Sequence, residues 1–218
     1  NNFKGIKRQG QFYIQTWHSP LRLKKIEKDA EHYLSKEYVK LAKKDSKNTD
    51  LIISGCDFSW NIYHNSFWYN GEILKSGTPR CDLFFSENPA IKDKVSNYFN
   101  ITSNYKIVLY APTFRNSNED EVYKLDYEKI LTAIENRFEG EWKILVRLHP
   151  NVSHLRSTIN YSDRILDATN YSDMQELLYS SDILITDYSS SMFDFLIANK
   201  LCFLHANDWD DYIRNERE

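Results

Sequence analysis

The sequence has only three cysteines, Cys56, Cys81 and Cys202, with no paired spacing among them. So few and so scattered a set argues against a disulfide framework and against a zinc site, and points to a reducing compartment. No apolar run approaches the roughly 20 residues that a membrane-spanning helix needs, and no signal-peptide pattern opens the chain. There is no G-x-G-x-x-G and no Walker lysine, so the familiar dinucleotide and P-loop motifs are missing. The chain opens on Asn1 instead of Met and closes on "NERE" shortly after the strand-like "LCFLH". It reads as a piece of a longer polypeptide.

What is present is unevenly charged. The net charge is -3, but residues 1–47 hold 12 Lys/Arg against 5 Asp/Glu, whereas residues 48–218 hold 16 against 26. A basic end beside an acidic body fits an anionic partner at that end, a polyanion or a membrane surface; a solvated helix face is the plainer alternative.

The pattern of apolar residues gives the organisation. "GQFYIQTWH" (10–18) reads as a strand ending at His18, and residues 21–44 as one or two charged helices. "DLIISG" (50–55) is a buried type of strand, "FSWNIYHNSF" (58–67) a helix, and "GEILKSGTPRCD" (71–82) a strand running into a Gly-Pro turn. From residue 105 the alternation is regular. Strands are expected at 106–113, 142–150, 164–169, 183–187 and 201–205, and helices at 126–138, 172–182 and 190–199. Ser172 with Gln175 fits a capping box. The polar stretch 115–122 is expected to be the most mobile loop. Strands alternating with helices imply a doubly wound α/β domain with a parallel sheet.

In such sheets ligands bind beyond the carboxyl ends of the strands. Thr113 and Arg115 follow one strand, and Arg147 and His149 follow the next. Asp187, Tyr188, Ser189, Ser190 and Ser191 follow a third, and His18 follows the early one. The serines also open a helix, where N–H groups and the helix dipole favour an anion. Arginine and hydroxyl donors suit phosphate oxygens. The residues therefore point to a phosphorylated ligand. Each also has a plain structural reading: a serine as helix cap, Arg115 as a loop charge, His149 as a packed turn residue, His18 as a core histidine, Asp187 as an orienter of backbone amides, and Asp194 as a surface group. Residue types and spacing alone reach a nucleotide- or phosphate-binding α/β domain.

The blocks "LYAPTFR" (109–115), "RLHP" (147–150) and "SDILITDYSSSMFDF" (181–195), with "QTWHSP" (15–20) and "SGTPRCD" (76–82), resemble the signature blocks of the CDP-glycerol glycerophosphotransferases, the teichoic acid polymerase and primase family. The resemblance implies a GT-B-like α/β architecture. Residues 1–95 would be part of an acceptor-side Rossmann-like domain, and residues 96–218 a Rossmann-like, parallel-sheet domain that binds the CDP-linked donor. It implies transfer of glycerol phosphate or ribitol phosphate from CDP-glycerol or CDP-ribitol to a teichoic-acid-like or capsular phosphopolymer, releasing CMP, with neither cofactor nor metal. His18 would be the general base and His149 the group that stabilises the donor pyrophosphate. Thr113, Arg115, Arg147, Asp187, Ser189, Ser190 and Asp194 would surround the donor. The implied partner is a lipid-linked phosphopolymer acceptor and not a nucleic acid, at the cytoplasmic face of the membrane, with peripheral association and oligomerisation left open. The block after the first histidine departs from the pattern, since "WHS" runs straight to Pro20 without Gly-Thr. Two other readings are a GT-B glycosyltransferase using a nucleotide sugar and a non-catalytic phosphopolymer-binding module.

Overall fold

Short apolar runs bounded by turn residues form the strands, and all of them pair in parallel. The structure is a computed structural model that describes residues 4–18, 21, 25–115 and 123–215. Its contacts divide the chain into two units, one containing residues 1–82 and the other residues 83–216.

In the first unit β1 (Ile14–Gln15), β2 (Leu51–Ser54) and β3 (Glu72–Lys75) form a parallel sheet with β2 in the middle. A 3-10 segment (Glu27–Tyr33) and α1 (Lys36–Asn48) lie between β1 and β2, and α2 (Asp57–Ser66) between β2 and β3. Ser35 caps α1 by accepting from the Tyr38 N–H. Ile52, Tyr63, Phe67 and Tyr69 make the small core. The strand expected over 10–18 shrinks to two residues. Trp17 adopts the left-handed region at φ 53°, which a strand cannot continue. Part of the expected helical stretch, residues 22–24, lies outside the described residues.

The second unit holds β4 (Tyr105–Tyr110), β5 (Glu141–Val146), β6 (Ile165–Asp167), β7 (Ile183–Thr186) and β8 (Leu201–Leu204) in the order β6-β5-β4-β7-β8, all parallel. The helices are α3 (Pro89–Phe99), α4 (Tyr127–Arg137), α5 (Met174–Ser180), α6 (Ser191–Ile197) and α7 (Trp209–Asn215), with a 3-10 segment at Pro150–Thr158. Because successive side chains on a strand point to opposite faces, the sheet feeds two cores. Val108, Tyr110, Ile144, Val146 and Ile183 pack with Leu131 and Ile134 of α4. Ile107, Leu109, Leu145 and Leu184 pack with Val95, Leu177, Leu178 and Phe195 from α3, α5 and α6. Near-continuous apolar strands with both faces covered are what a parallel sheet requires.

The expected boundary at residue 95 cuts through α3, whereas the units divide between Asp82 and Leu83. α3 belongs with the second unit because it packs on α5. There Lys94 pairs with Glu176 at 2.6 Å, and the Asn88 N–H donates to the Tyr179 hydroxyl at 2.7 Å. The cap of α5 is Asp173, not Ser172: its carboxylate accepts from the N–H groups of Gln175 and Glu176. A carboxylate suits the positive end of the helix better than a hydroxyl does. Residues 116–122, most of the expected mobile loop, lie outside the described residues.

Leu109 on β4 is fully buried and Leu201 on β8 is 51% exposed. Leu109→Ala should cost about 2–5 kcal/mol in urea unfolding, and Leu201→Ala no more than about 0.5 kcal/mol. Equal losses would show that β4 is not the centre of the sheet.

Candidate functional site

The order β6-β5-β4-β7-β8 reverses direction at β4: the chain leaves it toward β5 and later returns on its other side as β7. A ligand crevice is expected beyond the carboxyl ends of two strands that diverge in this way. Thr113 and Arg115 follow β4, Arg147 and His149 follow β5, and Asp187 through Ser191 follow β7. The sheet therefore brings all of these residues to one edge.

The link between β4 and β7 is a buried polar network. Asp187 accepts from the Thr113 N–H at 2.9 and 3.1 Å and from the Thr113 hydroxyl at 2.8 Å. Arg115 lies 3.0 Å from Asp187 and forms a second pair with Asp208 through Nε at 2.7 Å. Its Nη1 donates to the Thr113 carbonyl and hydroxyl at 3.0 and 2.7 Å. Burial opposes the charge of Arg115, but hydrogen bonding and attraction to Asp208 and Asp187 outweigh it, so its pKa is raised. Arg115 is thus a buried tie, not a loop charge. Likewise Asp194 is not a surface group: it is buried and accepts from the Gln175 amide at 2.8 Å.

Arg147 behaves differently. It is half-buried, and its Nη1 donates to the main-chain carbonyls of Ala168 and Tyr171. Among the described residues it forms no salt bridge, and burial, outweighing the attraction of Asp173, holds its pKa below the usual arginine value. A guanidinium so placed suits an anion. Two residues on, His149 starts the 3-10 segment and accepts the Asn151 N–H on Nδ1 at 3.2 Å. In the neutral form, a ring so held carries its proton on Nε2. Phe114 braces the ring at a centroid distance of 4.8 Å. On the β7 side the Ser189 and Ser191 hydroxyls lie 2.8 Å apart, and Ser190 precedes α6 with no side-chain capping bond.

In the first unit His18 sits just past the carboxyl end of β1. Gln15 sets the approach: its amide donates to Tyr13 and Asp45 at 2.9 and 3.0 Å and accepts the Trp17 N–H at 2.9 Å. Gln15 and Asp45 are buried, so the strained Trp17 rests on a satisfied polar network. Arg80 donates to the His18 carbonyl, which joins the "QTWH" and "GTPRCD" blocks. Gly77 stands at φ +90°, where a side chain would be strained. The His18 ring leans on Trp17 at 4.6 Å and keeps an exposed face. Surrounding protein mass first, and then the positive charge of Arg80, push its pKa down from 6.5 toward about 4. At neutral pH the ring is an unprotonated base.

Sequence reasoning missed Asp208, Tyr212, Gln15 and Asp45. The "NDWDDY" stretch looks like a solvated surface, and only the position of Asp208 just after β8 hinted at the same sheet edge. Among the described residues no group of three or more His, Cys, Asp or Glu side chains could hold a metal ion. No described helix is long and apolar enough to cross a membrane.

Known proteins with this pattern are informative. The family described as CDP-Glycerol:Poly(glycerophosphate) glycerophosphotransferase matches residues 1–218. A teichoic acid glycerol-phosphate primase of Bacillus subtilis (strain 168) is 35% identical over 93% of this chain and 52% of its own length. A teichoic acid poly(glycerol phosphate) polymerase of Staphylococcus epidermidis is 31% identical over 97% of this chain and 30% of its own length. The solved structure of the wall teichoic acid polymerase TagF superposes with a TM-score of 0.80 at 29% identity, over 97% of this chain and 54% of that one. The chain therefore spans about a third to a half of the length of these relatives, and the GT-B-like α/β assignment stands.

NMR titration of the His18 ring should give a midpoint well below 6.5, and Arg80→Gln should move it upward by removing a repelling charge. A midpoint at or above 6.5 would show that the ring is neither crowded nor repelled.

Proposed function

Since the chain belongs to the CDP-glycerol:poly(glycerophosphate) glycerophosphotransferase family, we propose that the protein transfers glycerol phosphate from CDP-glycerol to a growing phosphopolymer and releases CMP. The observation that carries the reading is Arg147: a half-buried cation that forms no salt bridge among the described residues, at the strand edge that also presents His149, Ser189 and Ser190.

In this proposal an acceptor hydroxyl oxygen attacks the phosphorus that bears the glycerol. The bond from that phosphorus to the CMP oxygen breaks, CMP leaves with the electron pair, and the acceptor proton passes to His18. No enzyme nucleophile is needed, so the work is positioning and charge stabilisation. His18 is unprotonated at pH 7 and can accept a proton, as a weaker base than a free imidazole. Arg147 and His149 Nε2 would hold the pyrophosphate, with Ser189 and Ser190 supplying further donors. Thr113, Arg115, Asp187 and Asp194 would frame the site without touching the donor, since their polar atoms bind one another and Gln175. The donor set is cationic and hydroxylic, and the nearby carboxylate of Asp187 is committed, so we propose transfer without a divalent ion. The excess positive charge of residues 1–47 would attract an anionic, lipid-linked acceptor at the cytoplasmic face of the membrane, although part of it is neutralised within the protein, as in the 3.0 Å Lys43–Glu31 pair.

The test is CMP release by the full-length protein with CDP-glycerol, CDP-ribitol and UDP-sugars, with and without EDTA. CDP-glycerol should be used and EDTA tolerated. His18→Ala should lower turnover by roughly 10²–10⁴ with donor affinity within a few-fold. His149→Ala should also weaken donor binding, by about 1.5–3 kcal/mol for a lost charge-assisted contact. Turnover only with a UDP-sugar would instead favour a glycosyltransferase. Unchanged turnover in folded His18→Ala would remove His18 as the base.

A further inference from the structure

We propose that Asp208 is a positioning residue of the donor site: acting through Arg115, it fixes Asp187, and with it the two segments that frame the site. The inference rests on reading this edge as the place of a CDP-linked donor.

Asp208 follows β8 and is remote in sequence from the other members of the network. Its carboxylate meets one edge of the Arg115 guanidinium, accepting from Nε at 2.7 Å and Nη2 at 3.3 Å. Asp187 takes another side at 3.0 Å, and Thr113 the third. A guanidinium held on three sides cannot rotate in its plane. An aromatic pair packs against one side of it as well. The Tyr188 and Tyr212 rings stack at 3.7 Å, and the guanidinium carbon lies 4.9 and 4.8 Å from their centroids. The Tyr188 hydroxyl also donates to Asp208 at 2.8 Å.

Two carboxylates around one buried arginine are more than charge balance needs. Asp187 alone would neutralise Arg115. The second carboxylate adds direction: it sets the plane of the fork, and the fork sets where Asp187 and the Thr113 hydroxyl stand. Tyr188 is one residue from Ser189, so the same anchor fixes the start of the serine turn. Small displacements of such groups weaken donor binding, because a site's contacts need fixed geometry. Strand ends of β4 and β7 and the segment after β8 are thereby locked by a residue that need never touch the donor.

The test uses the full-length protein with CDP-glycerol as probe. Asp208→Asn keeps size and acceptor oxygen but removes the charge. It should raise KM for CDP-glycerol about tenfold or more while kcat stays within about threefold, and hydrogen exchange of residues 111–115 and 187–191 should quicken in the ligand-free protein. The control is Leu131→Ala, a fully buried core change on α4, which lowers stability while removing none of the network's hydrogen bonds and should leave KM unchanged. Tyr188→Phe, which removes only the hydroxyl on Asp208, should move KM the same way by less, and it serves if Asp208→Asn does not fold. A KM that is unchanged, or that Leu131→Ala raises equally, would overturn the proposal. If the wild type releases no CMP from CDP-glycerol, the functional reading fails by itself. The exchange measurement then decides: faster exchange confined to the two segments supports the positioning role, and unchanged exchange overturns it.

Discussion

The carboxylate of Asp187 bridging β7 to Thr113 and Arg115 is the interaction on which the second unit's functional edge depends. Parallel strands end without a shared turn, so their carboxyl ends splay where the chain order reverses, here between β4 and β7. The main-chain N–H of Thr113, just past the sheet, finds its acceptor in Asp187 across that gap. One buried charge then satisfies a backbone donor, a hydroxyl and an arginine. Breaking such a set costs more than forming it gains, because each partner left behind is buried and unpaired. The edge is therefore rigid, a useful property for a site whose chemistry is mostly positioning.

Against this frame the remaining charges separate by partner. Arg115 is paired with two carboxylates and packs against a stacked tyrosine pair, while Arg147 is hydrogen-bonded to carbonyls. The two arginines are alike in sequence terms, each just beyond a strand, but among the described residues only Arg115 is locked in salt bridges. The same contrast separates Thr113, whose hydroxyl is occupied on both sides, from Ser190, which makes no side-chain capping bond. In the first unit the logic repeats on a smaller scale. A buried amide and carboxylate, Gln15 and Asp45, hold the strained Trp17 so that His18 stands beside Arg80 as a neutral base.

The sheet edge was legible in the sequence because it depends on local signals. Apolar strands ending in Thr113, His149 and Asp187 each carry their own pattern, and the parallel alternation places their ends together. The partners of those residues were not legible. Which carboxylate meets Arg115 depends on where residues 187 and 208 come to lie in space, and no spacing records that. α3 was passed over although Pro89 at its start and the left-handed Asn100 at its end are ordinary helix signals. The cap of α5 was misplaced by one residue because Ser172 and Asp173 are both good caps, and only geometry chooses between them.

The most direct test of the account is a crystal structure of the full-length protein with CDP-glycerol. The account predicts donor phosphate oxygens within hydrogen-bond distance of Arg147 and His149 Nε2, beside Ser189 and Ser190, with the Asp187–Arg115–Asp208 network unchanged. A pyrophosphate bound elsewhere, or one that takes Arg115 from its two carboxylates, would contradict it.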